Sequence, residues 1–150
     1  MKILCFRYPR NAVTDVLICL MCIFIIVLIV SNGKAVVNTA ANEVSDIVEF
    51  IEQNGWVIDY SSLRTSIKKI PDNFDIVYSD YNELQREQGF DLRALRGKSV
   101  CQYTYNVLNF PGYEENDDIF VNVLMYDGII CAADIYCTSI NGFITGVVRE

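Results

Sequence analysis

Hydrophobic and polar positions along the chain fall into three regimes. From Val16 to Val30 every residue of VLICLMCIFIIVLIV is apolar. With residues 12–15 in front, the run at ~1.5 Å per helical residue reaches across most of a ~30 Å hydrocarbon layer. The pattern predicts a transmembrane helix over 12–31, with Asp15 near its end at headgroup depth. A period of 3.6 follows. Val44, Ile47, Val48 and Ile51, with Ala40 and Ala41, form one stripe against Glu43, Asp46, Glu49 and Glu52, which predicts a helix over 36–54. Gly55 stops it, and Trp56 is placed to pack back on the last turn. Phe74, Val77, Tyr81 and Leu84, with Tyr78 beside them, make a second helical face after Pro71, where Asp72 or Asn73 can cap. Gly89-Phe90 repeats the earlier stop.

The most charge-dense stretch, YNELQREQGFDLRALRGK at 81–98, reads as the outer face of that second helix, its stop and one more capped turn. In that turn, from Asp91 to Gly97, the leucines face inward and Arg93 and Arg96 face water.

The third regime has a period of two. WVIDY (56–60) and SIKKI (66–70) are two short β-prone pieces. Residues 98–110 alternate, with Cys101, Tyr103, Tyr105 and Val107 on one face and Val100, Gln102, Thr104 and Leu108 on the other. Asp127-Gly128 between IFVNVLMY and IICAADIYC is a hairpin signal. A two-residue turn there sets Met125 opposite Ile130, Val123 opposite Ala132 and Val121 opposite Asp134. Asn141-Gly142 turns the chain once more, toward a short strand or packed tail at 143–147. The expected class is α+β: a transmembrane helix, then a small domain with two main helices packed on an antiparallel β-meander.

Charge gives the helix a direction. Lys2, Arg7 and Arg10 precede the apolar run with no acid among them, and only Lys34 follows closely. This bias keeps residues 1–11 in the cytoplasm and puts 36–150 outside the membrane. A cleaved signal peptide is the rival, since Gly33-Lys34-Ala35 offers a cut after Ala35 that would make the protein secreted. Residues 1–35 hold four bases against Asp15, whereas 36–150 hold eight bases against eighteen acids. Such an outer domain repels nucleic acid, so no nucleic-acid partner is expected, and the membrane is the first partner the sequence implies.

The chain has no histidine, which excludes Ser-His-Asp and Cys-His nucleophiles and histidine-ligated zinc within it. No cofactor is expected. Glu114, Glu115, Asp117 and Asp118 form an acidic connection whose spacing matches no calcium loop. Cys131 and Cys137 are too far apart along one strand to join, about 20 Å if extended. Cys101 could pair with Cys131 or Cys137 if its strand lay beside theirs. Asp134 interrupts an apolar strand. It either accepts bonds from turn N–H groups near Asn141-Gly142 or forms a binding site with Arg93 or Arg96.

A family resemblance is carried by Gly55-Trp56, Ile70-Pro71, Phe74-Asp75, Tyr81 to Gln85, Gln88-Gly89, Asp91-Leu92, Tyr103-Thr104-Tyr105, Asp127 to Asp134 and Asn141-Gly142-Phe143. In order and spacing these motifs resemble small bacterial proteins of the domain of unknown function 4830 family, over roughly residues 47–147. The resemblance implies a bacterial, extracytoplasmic setting behind a membrane-spanning or signal segment, and no activity. This chain has Ala132-Ala133 where the family usually has two glycines, and Cys137 stands one position later than the family's frequent cysteine.

Together these readings describe a membrane-anchored extracytoplasmic domain, a non-catalytic binding or interaction module for a protein or other component of the bacterial cell envelope. The alternative is a carboxylate-based hydrolase acting on envelope polymers, for which Asp75, Asp80, Glu83 and Asp134 are the available acids.

Overall fold

The structure is a computed structural model that describes residues 21, 42–113 and 118–149. The predicted span 12–31 lies, apart from Met21, outside the described residues, as do 114–117 of the acidic connection. Among the described residues no helix is long and apolar enough to cross a membrane. The chain divides into two compact units, Met1–Asn42 and Glu43–Glu150, and the second holds the sheet.

Helix α1 is described over residues 42–53. Its predicted stripe faces inward: Ile47 and Ile51 are fully buried, and Val44 and Val48 pack beside them. Its end is set by backbone geometry. Trp56 N–H donates to Ile51 C=O at 3.3 Å and Gly55 N–H to Glu52 C=O at 2.9 Å. This paired closure needs a left-handed residue, supplied by Gly55 at φ +79°. The same closure recurs at Gly89, φ +89°, with Phe90 N–H on Gln85 C=O and Gly89 N–H on Arg86 C=O. The two aromatics that follow the stops differ in role: Phe90 meets Phe50 of α1 edge-on, whereas Trp56 stacks on Phe110.

The two β-prone pieces at 56–60 and 66–70 are one strand, β1, Ile58–Lys69. Its register against β2, Ser99–Val107, jumps between Asp59↔Asn106 and Arg64↔Thr104. Side chains bridge the jump. Asp59 accepts from the backbone N–H and the hydroxyl of Ser61, and Ser62 Oγ accepts the Asn106 N–H at 2.8 Å. The turn-forming residues that made the sequence look broken therefore supply the bonds that carry the strand through.

Helix α2 is Ile76–Glu87. Its cap is Asp75, whose carboxylate accepts the Tyr78 N–H at 2.8 Å, rather than Asp72 or Asn73 as expected; Asp72 pairs instead with Lys69 on the surface. The 3₁₀ turn Leu92–Leu95 follows, capped by Asp91, with Leu92 fully buried and Arg93 and Arg96 exposed, as the sequence predicts. Strands β3, Ile119–Tyr126, β4, Ile129–Cys137, and β5, Ile144–Thr145, complete an antiparallel meander of order β1-β2-β3-β4-β5.

The sheet has two unlike faces. Tyr103, Tyr105, Val107, Val121, Val123, Met125, Ala133 and Ile135 point to the α1 side and form the main core with Ile47 and Ile51. Val100, Leu124 and Ala132 point to the α2 side and pack with Ile70, Leu92, Tyr78 and Tyr81. That second cluster closes only one end of its face.

The α2 stripe itself departs from expectation. Val77, expected on the inward face, is 72% exposed, whereas Asn82, expected on the solvent side, is buried, as is Gln85. Asn82 Oδ1 accepts the Leu92 N–H at 2.8 Å. Gln85 Oε1 accepts the Ala133 N–H at 2.9 Å, and Gln88 Nε2 donates to the Ala133 C=O at 3.0 Å. β5 pairs with β4 only at Ile135 and Tyr136, so beyond them the edge of β4 is completed by two glutamines of a helix rather than by a strand. A buried backbone edge must find partners, and these amides outweigh the helix's apolar pattern in setting which face turns inward.

Candidate functional site

Asp134 reaches its place through a one-residue irregularity. The Asp127-Gly128 turn pairs Met125 with Ile130 as predicted, but the register then shifts, so that Leu124 faces Ala132, Val123 faces Ala133 and Asn122 faces Asp134. The alternation puts Asp134 on the α2 side beside Asn122, not against Val121 in the main core. The same row continues to Thr104 on β2 and Arg64 on β1. Four strands thus place Arg64, Thr104, Asn122 and Asp134 in line across the α2 side of the sheet, with Thr104 buried and Asp134 buried beneath Tyr81 of α2.

The middle of this row is a directed chain of hydrogen bonds. Gln102 Nε2 donates to Asn122 Oδ1 at 2.8 Å and to Thr104 Oγ1 at 3.0 Å, and Thr104 Oγ1 donates to Asn122 Oδ1 at 2.7 Å. Asn122 is left to donate through Nδ2 to Asp134 Oδ2 at 3.1 Å, while Tyr81 OH of α2 donates to Asp134 Oδ1 at 2.8 Å. These are the partners of Asp134, rather than N–H groups of the Asn141-Gly142 turn. Asp134 is 2% exposed. Burial pushes its carboxyl above the usual range, opposed in part by the bonds from Tyr81 and Asn122. Burial, and after it the charge of Asp134, pushes the Tyr81 hydroxyl upward as well. Among the described residues no Lys or Arg pairs with Asp134.

An open groove of about 390 Å³ runs over this ladder. Gln102, Asn122 and Asp134 are at its floor, Tyr81 and Tyr136 beside them, and Lys68 on the β1 side. Lys68 has no ion-pair partner among the described residues. An adjoining hollow of about 530 Å³, lined by Val77, Asp80, Leu84 and Ile144 together with Tyr78 and Tyr81, is mainly apolar. A larger hollow of about 690 Å³ lies by Trp56, Gln88 and Arg149. There Arg149 sits 3.6 Å over the Trp56 ring and Gln88 is tied to Ala133 and Val147, while Glu87 makes no ion pair among the described residues. The ladder groove differs in that a buried carboxylate, Asp134, and an exposed base, Lys68, line it together.

Arg93 and Arg96, the partners proposed for Asp134, do not line this groove. Arg93 grips Asp91 through Nε and Nη2, and Arg96 covers the Phe74 ring at 4.6 Å; both serve the 3₁₀ turn and the base of α2. The disulfide pairing is also corrected. Cys101, Cys131 and Cys137 are free thiols, because β3 lies between β2 and β4. Two strand spacings, about 9–10 Å, exceed what a disulfide spans. The acids considered for hydrolysis are also dispersed: Asp75 caps α2, Glu83 pairs with Arg86, and Asp80 lines the adjoining hollow. No group of three or more Cys, Asp or Glu among the described residues is placed to hold a metal ion.

Sequence reasoning missed Tyr81 and Asn122 as partners of Asp134, and Lys68 and Gln102 as lining the same groove. One signal was available: Gln102, Thr104 and Asn122 are polar residues at one parity of strands whose other parity is apolar, which predicts a shared polar strip once the strands are adjacent.

No curated protein and no solved structure matches the chain. A family model does, over residues 50–135, from the last turn of α1 through the floor of the groove to just past Asp134. With more than half of its length covered, the chain belongs to the family described as Domain of unknown function (DUF4830).

Proposed function

We propose that this protein is a single-pass membrane protein of the bacterial cell envelope whose outer domain is a non-catalytic binding module, with the ladder groove as its contact site. In this reading residues 12–31 anchor the chain, 1–11 stay in the cytoplasm and 36–150 stand outside, or are secreted if the chain is cut after Ala35. The apolar run and the basic flank support the anchor.

One observation carries the binding role. The groove's floor is a pre-ordered set of amides, a hydroxyl and one carboxylate, fixed by bonds to one another and leaving polar capacity toward the opening. Such convergent polar groups in a concave face orient a ligand. A two-carboxylate hydrolase needs a second acid facing the same cleft, and Asp134 is the only carboxylate among the groove's described lining residues. The hydrolase alternative has Asp80, in the hollow that shares Tyr78 and Tyr81 with the groove, as its nearest support.

The test places a photo-reactive amino acid at Tyr136 or Ile144 on the groove and, as a control, at exposed Val57 away from it. Irradiated intact cells should give one discrete adduct from the groove positions alone. Equal labelling from Val57, or no adduct from the groove, refutes the assignment. Protease added to intact cells should digest the domain; protection there with digestion after lysis inverts the topology. Cleavage of envelope polymer that is lost in both Asp80→Asn and Asp134→Asn transfers the reading to the hydrolase.

A further inference from the structure

We infer that the groove takes a zwitterionic ligand, an organic molecule with an ammonium group at one end and a carboxylate at the other, the ammonium on Asp134 and the carboxylate on Lys68. This rests on the groove being the binding site. The observation behind it is that one hollow holds two opposite charges that do not meet. Asp134 takes its bonds from neutral donors only, Tyr81 and Asn122. Lys68 lines the same groove from β1 and pairs with no acid among the described residues. Strands β2 and β3 lie between the strands that carry them, three spacings or about 14 Å across the sheet, and Lys68 stands four residues, about 13 Å, along β1 from Arg64, the residue in line with Asp134; the floor between is the neutral amides Gln102 and Asn122.

Each simpler ligand fails at one end. A pure anion suits Lys68 but meets the Asp134 carboxylate, a buried group with no cation of its own. A pure cation suits Asp134 but passes the bases of β1, Arg64 and Lys68, while Lys69 is already engaged by Asp72. A molecule carrying both charges completes both groups at once. An ammonium has three donors, and each Asp134 oxygen has accepted one hydrogen bond and retains a second lone pair. Tyr81 and Tyr136 beside the carboxylate add ring faces on which a cation is stabilised. An ammonium–carboxylate contact in such a sheltered place is a strong charge-assisted bond, and the exposed Lys68 contact is the weaker of the two.

The experiment uses the full chain in detergent micelles and saturation-transfer NMR, with ω-amino acids of four, six and eight carbons as probes. The single-charge controls are hexylamine and hexanoate, and the neutral control is a cello-oligosaccharide. A preferred chain length should emerge among the zwitterions, with each single-charge control binding about tenfold more weakly. Lys68→Ala, an exposed position that does not threaten the fold, should weaken the zwitterion several-fold and leave hexylamine unchanged or tighter. Asp134→Asn, checked for folding by circular dichroism, should weaken both. The inference is overturned if no zwitterion binds, if hexylamine or the oligosaccharide binds as tightly, or if Lys68→Ala has no effect. Groove cross-linking in cells alongside any of these results would leave the binding module standing and remove only the ligand class.

Discussion

Gln88 offers the sharpest test of how the domain is held together. Its side chain donates to the C=O of Ala133 at 3.0 Å and of Leu84 at 3.2 Å, and accepts the Val147 N–H at 2.6 Å. Val147 is fully buried and its C=O accepts from Trp56 Nε1 at 2.6 Å. One amide thus joins α2, the unpaired edge of β4 and the C-terminal tail. Gln88→Ala removes it and leaves a buried N–H and a buried C=O without partners. At ~1–2 kcal/mol for each orphaned group, the loss is about 3 kcal/mol. For a domain of this size that is a fall in Tm of about 12–24 °C. The chain's one tryptophan reports on the same contact, so Trp56 emission should shift red in the native baseline while urea unfolding moves to a lower midpoint. A Gln88→Glu exchange adds a sign. The new carboxyl can donate to the Ala133 C=O only when protonated, so its folded pKa is raised. Its contribution is then present at low pH and lost as pH rises through that value. If Gln88→Ala stays within about 0.5 kcal/mol of the parent with unchanged emission, the glutamine clamp is not what closes the edge of β4.

Three further outcomes follow from the geometry. Because burial holds the Asp134 carboxyl above its ordinary 3.8, the folded state binds the extra proton. The stability of the parent relative to Asp134→Asn should therefore fall as pH rises from about 4 toward 7, read from urea midpoints, and a rise would mean the bonds from Tyr81 and Asn122 dominate. Iodoacetamide at pH 8 should modify exposed Cys101 quickly. Cys131, pushed up to about 11 by burial, and buried Cys137 should react only on unfolding, and a disulfide mapped by peptide mass between Cys101 and Cys131 or Cys137 would contradict the strand order. Asp75→Ala should cost about 1 kcal/mol by chemical denaturation, as loss of the α2 cap, whereas Asp72→Ala should cost less than about half of that.

The parts of the fold written in the sequence are those decided locally. α1, both glycine stops, the Asp127-Gly128 turn and the parity of β2 depend on neighbours within a few residues, and the periodicity contains that information. The parts that were not legible depend on an open backbone edge elsewhere. The inward face of α2 is set by the need of Ala133 for a donor and an acceptor, so Gln85 and Gln88 turn in and Val77 turns out. Ala132-Ala133 was the available hint, since two small residues among large strand residues let another element approach the backbone. The register shift beside Cys131 left no mark in the pattern. It moved Asp134 from its predicted place opposite Val121 to a place opposite Asn122, which is why its neighbours were not legible.

Whether the polar row exists for the fold or for a ligand can be decided by removing it entirely. Thr104, Asn122 and Asp134 bond mainly to one another, to Gln102 and to Tyr81. Deleting one leaves the rest unpaired, whereas replacing the set leaves few orphans. A combined Thr104→Val, Asn122→Val, Asp134→Val and Tyr81→Phe chain strands only the half-exposed Gln102 amide, which water can satisfy. It also ends the desolvation of an unpaired carboxylate, and exchanges of this kind range from neutral to about 1–4 kcal/mol stabilising. The expected result is a urea midpoint at or above that of the parent together with loss of the groove's photo-adducts. A chain that could be more stable without the row retains it for something other than stability, and that is the physical case for a ligand site in the groove above it. A loss of more than about 2 kcal/mol in the fourfold variant would make the ladder a structural clamp instead, and the groove would lose its claim to be a binding site.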